Sequence, residues 1–294
     1  MLVFLFNSIK GIDFFQLFDE LHFHWIYLFF VILLLPLNWY FELIKWKVIA
    51  DRVDKVSQVK LIKSLLSGIS SGLVSPNRLG NFIGRIFFFK PKSRVALTLG
   101  TLYSNFSQFL ATINIGAITI LILLVFNKQT DFKFLDFPLV WIFAFFGVIL
   151  LFNILYFKVY LIPKLFPILN RKRNLFQLFI TKFKGVEFNL FFLSAFRFLV
   201  FTIQFCLVFA FLGVKIDSTI LIGTVLIFFF TTIIPSLIFG KLGIRESVAV
   251  WIFTPFIENT LVILSASFLI WFINLAIPSL IGLYFLIISR NEVD

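Results

Sequence analysis

Charge is scarce in this sequence. Only 14% of its 294 residues are Asp, Glu, Lys or Arg, against 61% apolar. A water-soluble globule of this length would have too little polar surface to cover itself, so a bilayer is the expected solvent. Cysteine is nearly absent. Cys206 alone forms no intrachain disulfide and rules out a metal site built on thiolates. The two histidines, His22 and His24, sit just before the first apolar run, where an interfacial position is expected and metal ligation is not. No HExxH, serine–histidine pair or paired aspartates occur, and most apolar runs offer no general base. Enzymatic chemistry is therefore not expected, nor is a metal or a cofactor. The opening MLVFLFNSIK lacks a basic leader, so no secretory signal is expected there.

Phenylalanine is abundant, with 46 copies spread over nearly every apolar run, which marks composition and not a binding surface. The net charge of +12 would suggest nucleic acid in a soluble protein. Here the basic residues fall in the gaps between apolar runs, a pattern that orients a chain in a membrane. Nucleic acid is not an expected partner, and the basic loop with RKR at 171–173 is read as meeting anionic lipid heads.

Two stretches interrupt the apolar pattern. SPNRLGNFIGR (75–85) combines Pro76, Gly80 and Gly84 with the polar Asn77, Arg78, Asn81 and Arg85. IPSLIFGKLGIRE (234–246) repeats a proline, two glycines and an arginine as Pro235, Gly240, Gly243 and Arg245, followed by Glu246. The run before the first, 61–74, is too short to cross a bilayer comfortably, so a hairpin that enters and leaves on one face is expected. Broken segments persist at membrane depth only where protein or a water-filled cavity surrounds them.

Around these breaks the apolar runs place spans at 23–44, 95–126, 137–157 and 188–212, and residues 248–288 form two spans or one kinked run. Glu258 has no assigned role. Trp39 and Trp46 are expected as interface anchors. Glu42, close to hydrocarbon, must pair with Lys45 or a core arginine, or reach headgroup water, and Arg197 is the leading candidate partner. Thr101, Ser104, Asn105, Gln108 and Thr112 share one helix face, which serves either interhelical hydrogen bonds or a substrate path.

The expected fold is all-α: a polytopic transmembrane helical bundle of about six full spans and two broken hairpins. An amphipathic segment, 1–21, would precede one transmembrane domain, 22–289, and a tail, 290–294, would follow it. Its halves, 22–157 and 188–289, are joined by the basic loop 158–187. Placing the segments 45–63, 78–94 and 158–184 on one side collects eighteen of the 26 basic residues, so that side is expected to be cytoplasmic and the N-terminus outside. An odd number of crossings per half inverts the second half, the pattern of a transporter with its site between repeats.

Several segments carry a family resemblance: NWxxE at 38–42, KW at 45–46, SGxxxGLVSPNRLGNFIGR ending at Arg85, and IPSxxxGKLGIRE ending at Glu246. Together they resemble the transmembrane region of lysylphosphatidylglycerol synthases and its free-standing, flippase-like relatives, over about residues 20–289. In that family the membrane region is linked with moving lipid, and aminoacylation belongs to a separate soluble domain without a counterpart here. The resemblance thus implies translocation without synthesis, with Asn77, Arg78, Asn81, Arg85, Arg245 and Glu246 meeting a headgroup. Glu42, Asn105, Gln108 and Arg197 would support them. Two features are expected to depart from the family pattern: the additional leading span of many free-standing members has no expected counterpart in these residues, and Lys241 stands where a small or neutral residue is expected.

The expected function is flipping of an anionic or phosphate-linked lipid in a bacterial-type inner membrane. The alternative is a non-transporting partner or regulator of an envelope lipid or glycan enzyme. For the first, the chain must supply donors that replace headgroup hydration. Arg85, Arg245 and Glu246 are expected to form one cluster near the bilayer centre. The positive ends of helices following Pro76 and Pro235 are expected to add favourable potential.

Overall fold

In hydrocarbon the backbone must satisfy its own hydrogen bonds, so apolar runs of this length are expected to fold as helices. The computed structural model describes residues 23–126, 139–162, 173–235, 241 and 243–291, and every regular element among them is helical. The expected surface segment 1–21, His22, Arg171 and Lys172 of the RKR run, the side chains of Asn77 and Arg173, Gly240 and the tail beyond residue 291 lie outside what is described.

The elements run α1 (Trp25–Ala50), α2 (Gln58–Leu73), a 3-10 turn (Pro76–Arg78), α3 (Gly80–Ile86), α4 (Pro91–Phe126), α5 (Leu139–Phe157) and α6 (Arg173–Phe183). There follow α7 (Glu187–Phe211), α8 (Ser218–Ile233), α9 (Ile244–Phe253), α10 (Thr260–Trp271), a π turn (Phe272–Ala276) and α11 (Ile277–Asn291). The last three join into one helix, which resolves the open reading of 248–288. Pro255 lacks the N–H that would extend α9, so no span begins at 248. The chain turns through 254–259, with Glu258 exposed, before α10 starts.

Packing shows how the halves relate. His24 N donates to Phe211 O at 2.9 Å and Gln204 Nε2 to Val31 O at 2.9 Å, so α1 and α7 run antiparallel. Gly282 of α11 lies against the Leu66 carbonyl of α2, and Gly116 of α4 lies under Phe229 of α8. Each broken hairpin therefore packs on the long helix of the other half. The α2–α3 hairpin starts where α1 ends, and the α8–α9 hairpin starts where α7 ends, so they enter from opposite ends of the bundle, as inverted repeats do.

Two apolar cores result. One gathers Ile113, Phe205, Phe209, Phe229 and Phe253; the other gathers Trp46, Ile49, Leu65, Leu97 and Phe183. Along α1 and α7 the buried polar side chains fall between these cores. Many large apolar side chains face outward, Trp25, Phe143 and Ile83 among them, as a lipid-facing surface requires.

The first hairpin closes because glycines let its helices touch. A Cβ on Gly84 would stand 2.3 Å from Ser67 O and 2.7 Å from Ser71 Oγ, whereas one on Gly147 would meet nothing within 4 Å. Gly84→Ala is expected to destabilise the protein by about 1–3 kcal/mol through overpacking. Gly147→Ala should leave the thermal midpoint in detergent unchanged or slightly raised. Equal midpoints for the two variants would count against the close approach.

Candidate functional site

The polar layer centres on Glu42, about 12 Å of helix from the C-terminal end of α1 at 1.5 Å per residue. Its Oε1 accepts from Arg85 Nη2 at 2.5 Å. Its Oε2 lies 3.0 Å from Arg197 Nη1 and 3.4 Å from Lys45 Nζ. The two pairings expected for Glu42 are thus realised together, the lysine one turn on and the arginines of the core, in place of headgroup water. Gln108 of α4 accepts from Lys45 at 3.3 Å and from Arg197 at 3.5 Å, and it donates to Ser194 O at 3.2 Å. Arg197 Nε donates to Asn38 Oδ1 at 2.9 Å, and Asn38 Nδ2 in turn donates to Asn274 Oδ1 at 2.8 Å.

Arg85 is 1% exposed and lies over the Trp46 ring, 5.2 Å from its centre. Its Nε and Nη1 are buried without an acceptor, as are Arg78 Nε and, among acceptors without a donor, Asn81 Oδ1. Buried donors in this state are expensive unless something arrives to pair with them.

A cavity of about 270 Å³ separates the two hairpins, with Glu42, Arg78, Arg197, Lys241 and Arg245 in its wall and Trp39, Phe201 and Phe228 as apolar lining. A second cavity, about 310 Å³, shares Glu42, Arg78, Arg197 and Lys241 and reaches Lys45, Asn81, Arg85 and Asn105. The α4 polar face divides accordingly. Asn105, Gln108 and Thr112 line cavity, with Gln108 also bonding across to α7, while the Thr101 hydroxyl turns back on Leu97 O of its own helix at 2.8 Å.

On the second hairpin, Lys241 Nζ donates to the carbonyls of Thr231 and Thr232, at the negative end of α8. Gly243, at φ +82°, is the N-cap of α9, and its N–H donates to Glu246 Oε2 at 2.6 Å. Glu246 Oε1 accepts from Ser267 Oγ at 3.1 Å and from Arg245 Nη2 at 3.3 Å, and Arg245 also donates to Ser267 O at 2.7 Å.

These contacts correct several expectations. Arg85, Arg245 and Glu246 do not form one cluster: Arg85 belongs to the Glu42 group, and Arg245 with Glu246 forms a second group on the other side of the cavity. Helix position separates them, since Arg85 is in the last turn of α3 and Arg245 in the first turn of α9. The helix N-termini are not free for phosphate either. Glu246 caps α9, and Ser75 Oγ accepts from Gly80 N at 2.7 Å. Trp46 is no interface anchor, because α2 covers it and Ser64 Oγ accepts its indole N–H at 2.7 Å; Trp39 faces cavity. Arg78, Arg85, Lys241 and Arg245 are not loop charges, because the hairpins carry them inward.

Asn274 and Ser267 complete the two groups without having been expected in the site. Asn274 left one signal, a single amide in the apolar FINLAIPSL, and it sits in the π turn, a feature frequent at functional positions.

Paired re-entrant hairpins around a cationic cavity define a polytopic helical membrane protein with its polar site between two halves. The chain belongs to the family described as Lysylphosphatidylglycerol synthase TM region, whose model matches residues 1–282. It is accordingly a membrane protein of lipid metabolism or transport. No curated protein and no solved structure matched it.

Proposed function

We propose that the chain moves an anionic lipid or lipid-linked precursor across a bacterial-type inner membrane, with the end that carries the 51–57 and 158–186 connections in the cytoplasm. The observation that carries this reading is the charge of the cavity wall. Lys45, Arg78, Arg85, Arg197, Lys241 and Arg245 surround the two cavities, while Glu42 and Glu246 are the carboxylates paired with them. An excess of buried cations is unfavourable until an anion enters. Arginine forks suit phosphate oxygens in pairs, and the unpaired nitrogens of Arg78 and Arg85 are placed to offer them.

The headgroup would exchange its water for these donors while the acyl chains stay in lipid. Entry of the hairpins from opposite ends supports access from either leaflet in turn, by rocking of one half against the other. The reading is of binding and translocation without covalent chemistry: Glu42, the carboxylate in the cavity wall, is held by three cations and does not serve as a base.

The direct test is purified protein in liposomes holding a labelled anionic lipid. Protein-dependent appearance of the label in the opposite leaflet is expected; none above protein-free vesicles would reject translocation and favour the partner reading. Orientation has its own check. Lys92, beside the start of α4, and Lys215, beyond the end of α7, are both exposed and lie at opposite ends, and the native Cys206 is buried. Lys92→Cys and Lys215→Cys should react with an impermeant thiol reagent from opposite sides of the membrane, Lys92→Cys from the cytoplasmic one. Labelling of both from one side would overturn the topology.

A further inference from the structure

We infer that the cavity takes a lipid headgroup carrying at least two negative charges, a lipid-linked diphosphate, in preference to a singly charged phosphodiester. This rests on the lipid-binding reading above and narrows it to a substrate class.

The charge count sets the requirement. Glu42 offsets one of the three cations that share it, and Glu246 offsets Arg245. Among the described residues, four positive charges of the six remain unmatched. A phosphodiester headgroup would bring one negative charge and leave three, whereas a diphosphate diester brings two and a diphosphate monoester three. In a site screened poorly from water, the ligand that cancels more of the excess is favoured.

The placement of the cations points the same way. Among the described residues, Arg78 and Lys241 are the non-glycine positions with a left-handed backbone, at φ 59° and 72°. Long side chains adopt that conformation at a cost, and such strain gathers at ligand-binding positions. Arg78 ends the 3-10 turn between α2 and α3, Lys241 precedes Gly243 at the start of α9, and both line both cavities. Behind Arg78 stands Arg85, with two buried nitrogens lacking acceptors, and beside Lys241 stands Arg245. Arg78 and Lys241 therefore face both cavities in common, with Arg85 added on the second and Arg245 on the first, so three of these cations meet in either space and two linked phosphates give the two sides an anionic group each.

The same chemistry would be offered by free diphosphate, so the test separates the sources. Binding to purified protein in detergent is measured for farnesyl diphosphate, inorganic pyrophosphate and a short-chain phosphatidylglycerol. Farnesyl diphosphate is expected to bind at least about tenfold more tightly than either of the others. Arg78→Asn and Lys241→Asn each remove one of these charges while keeping a residue that tolerates the left-handed backbone. Each should weaken farnesyl diphosphate about tenfold and phosphatidylglycerol by less than about threefold. The comparison of ligands on the unaltered protein stands even if a variant fails to fold. Phosphatidylglycerol binding as tightly as farnesyl diphosphate would overturn the preference and leave the lipid-binding reading intact. Pyrophosphate binding as tightly as farnesyl diphosphate would overturn the lipid-linked ligand. Binding of none of the three would overturn the inference and the anionic headgroup reading together.

Discussion

Glu42→Gln is expected to destabilise the folded bundle by about 3–5 kcal/mol, the usual result of removing one partner from a buried charge group. The substitution keeps shape and one acceptor oxygen, but it leaves Lys45, Arg85 and Arg197 facing one another with no anion. Arg85 and Lys45 are each 1% exposed, so water cannot take over the lost interaction. The loss should appear as a large fall in the temperature at which the detergent-solubilised protein stops eluting as a monodisperse peak. Removing a cation instead should be much milder, because two others still meet the carboxylate. Glu42→Gln combined with Arg197→Gln should therefore recover part of the loss, since one uncompensated charge goes with it. A wild-type midpoint for Glu42→Gln alone would show that Glu42 does not hold these cations together.

The breaks and their partners were legible in the sequence for a physical reason. Proline, glycine and arginine inside apolar runs are expensive in hydrocarbon, so the stretches at 75–85 and 234–246 announced hairpins, and a lone Arg197 announced a partner for Glu42. Depth and rotation were less accessible. The two copies share the order of proline, glycines and arginine but only loosely their spacing, and one arginine falls at the end of a short helix and the other at the start, which sends Arg85 to Glu42 and leaves Arg245 with Glu246. Trp46 shows the same limit. Its place near the end of a span suggests the interface, and only the return of α2 over α1, fixed by contacts distant in sequence, buries it against Ser64 and Arg85. The π turn that brings Asn274 to Asn38 shows in the sequence only as a lone amide in an apolar run.

Arg85→Lys is expected to reduce lipid movement by at least about tenfold while the protein remains folded and inserted. One Arg85 nitrogen reaches Glu42, the ring below is Trp46, and two further nitrogens have no acceptor within the protein. Lysine retains the charge and so keeps Glu42 compensated, but it loses the planar fork that bonds carboxylate and phosphate together, and much of the stacking on indole. A residue serving only stability would show a shifted midpoint with near-normal transport per folded molecule. A residue serving the headgroup would show the reverse. Glu246→Gln separates the second group from the first in the same assay. Its carboxylate caps α9 and positions Arg245, so loss of the charge should weaken stability modestly and transport less than Arg85→Lys does. If Glu246→Gln abolished transport at full stability, Glu246 would instead be coupling movement to a proton. Rates for wild type and Arg85→Lys that agree at matched amounts of reconstituted protein would remove Arg85 from the headgroup path and, with it, the main support for a phosphate held between the hairpins.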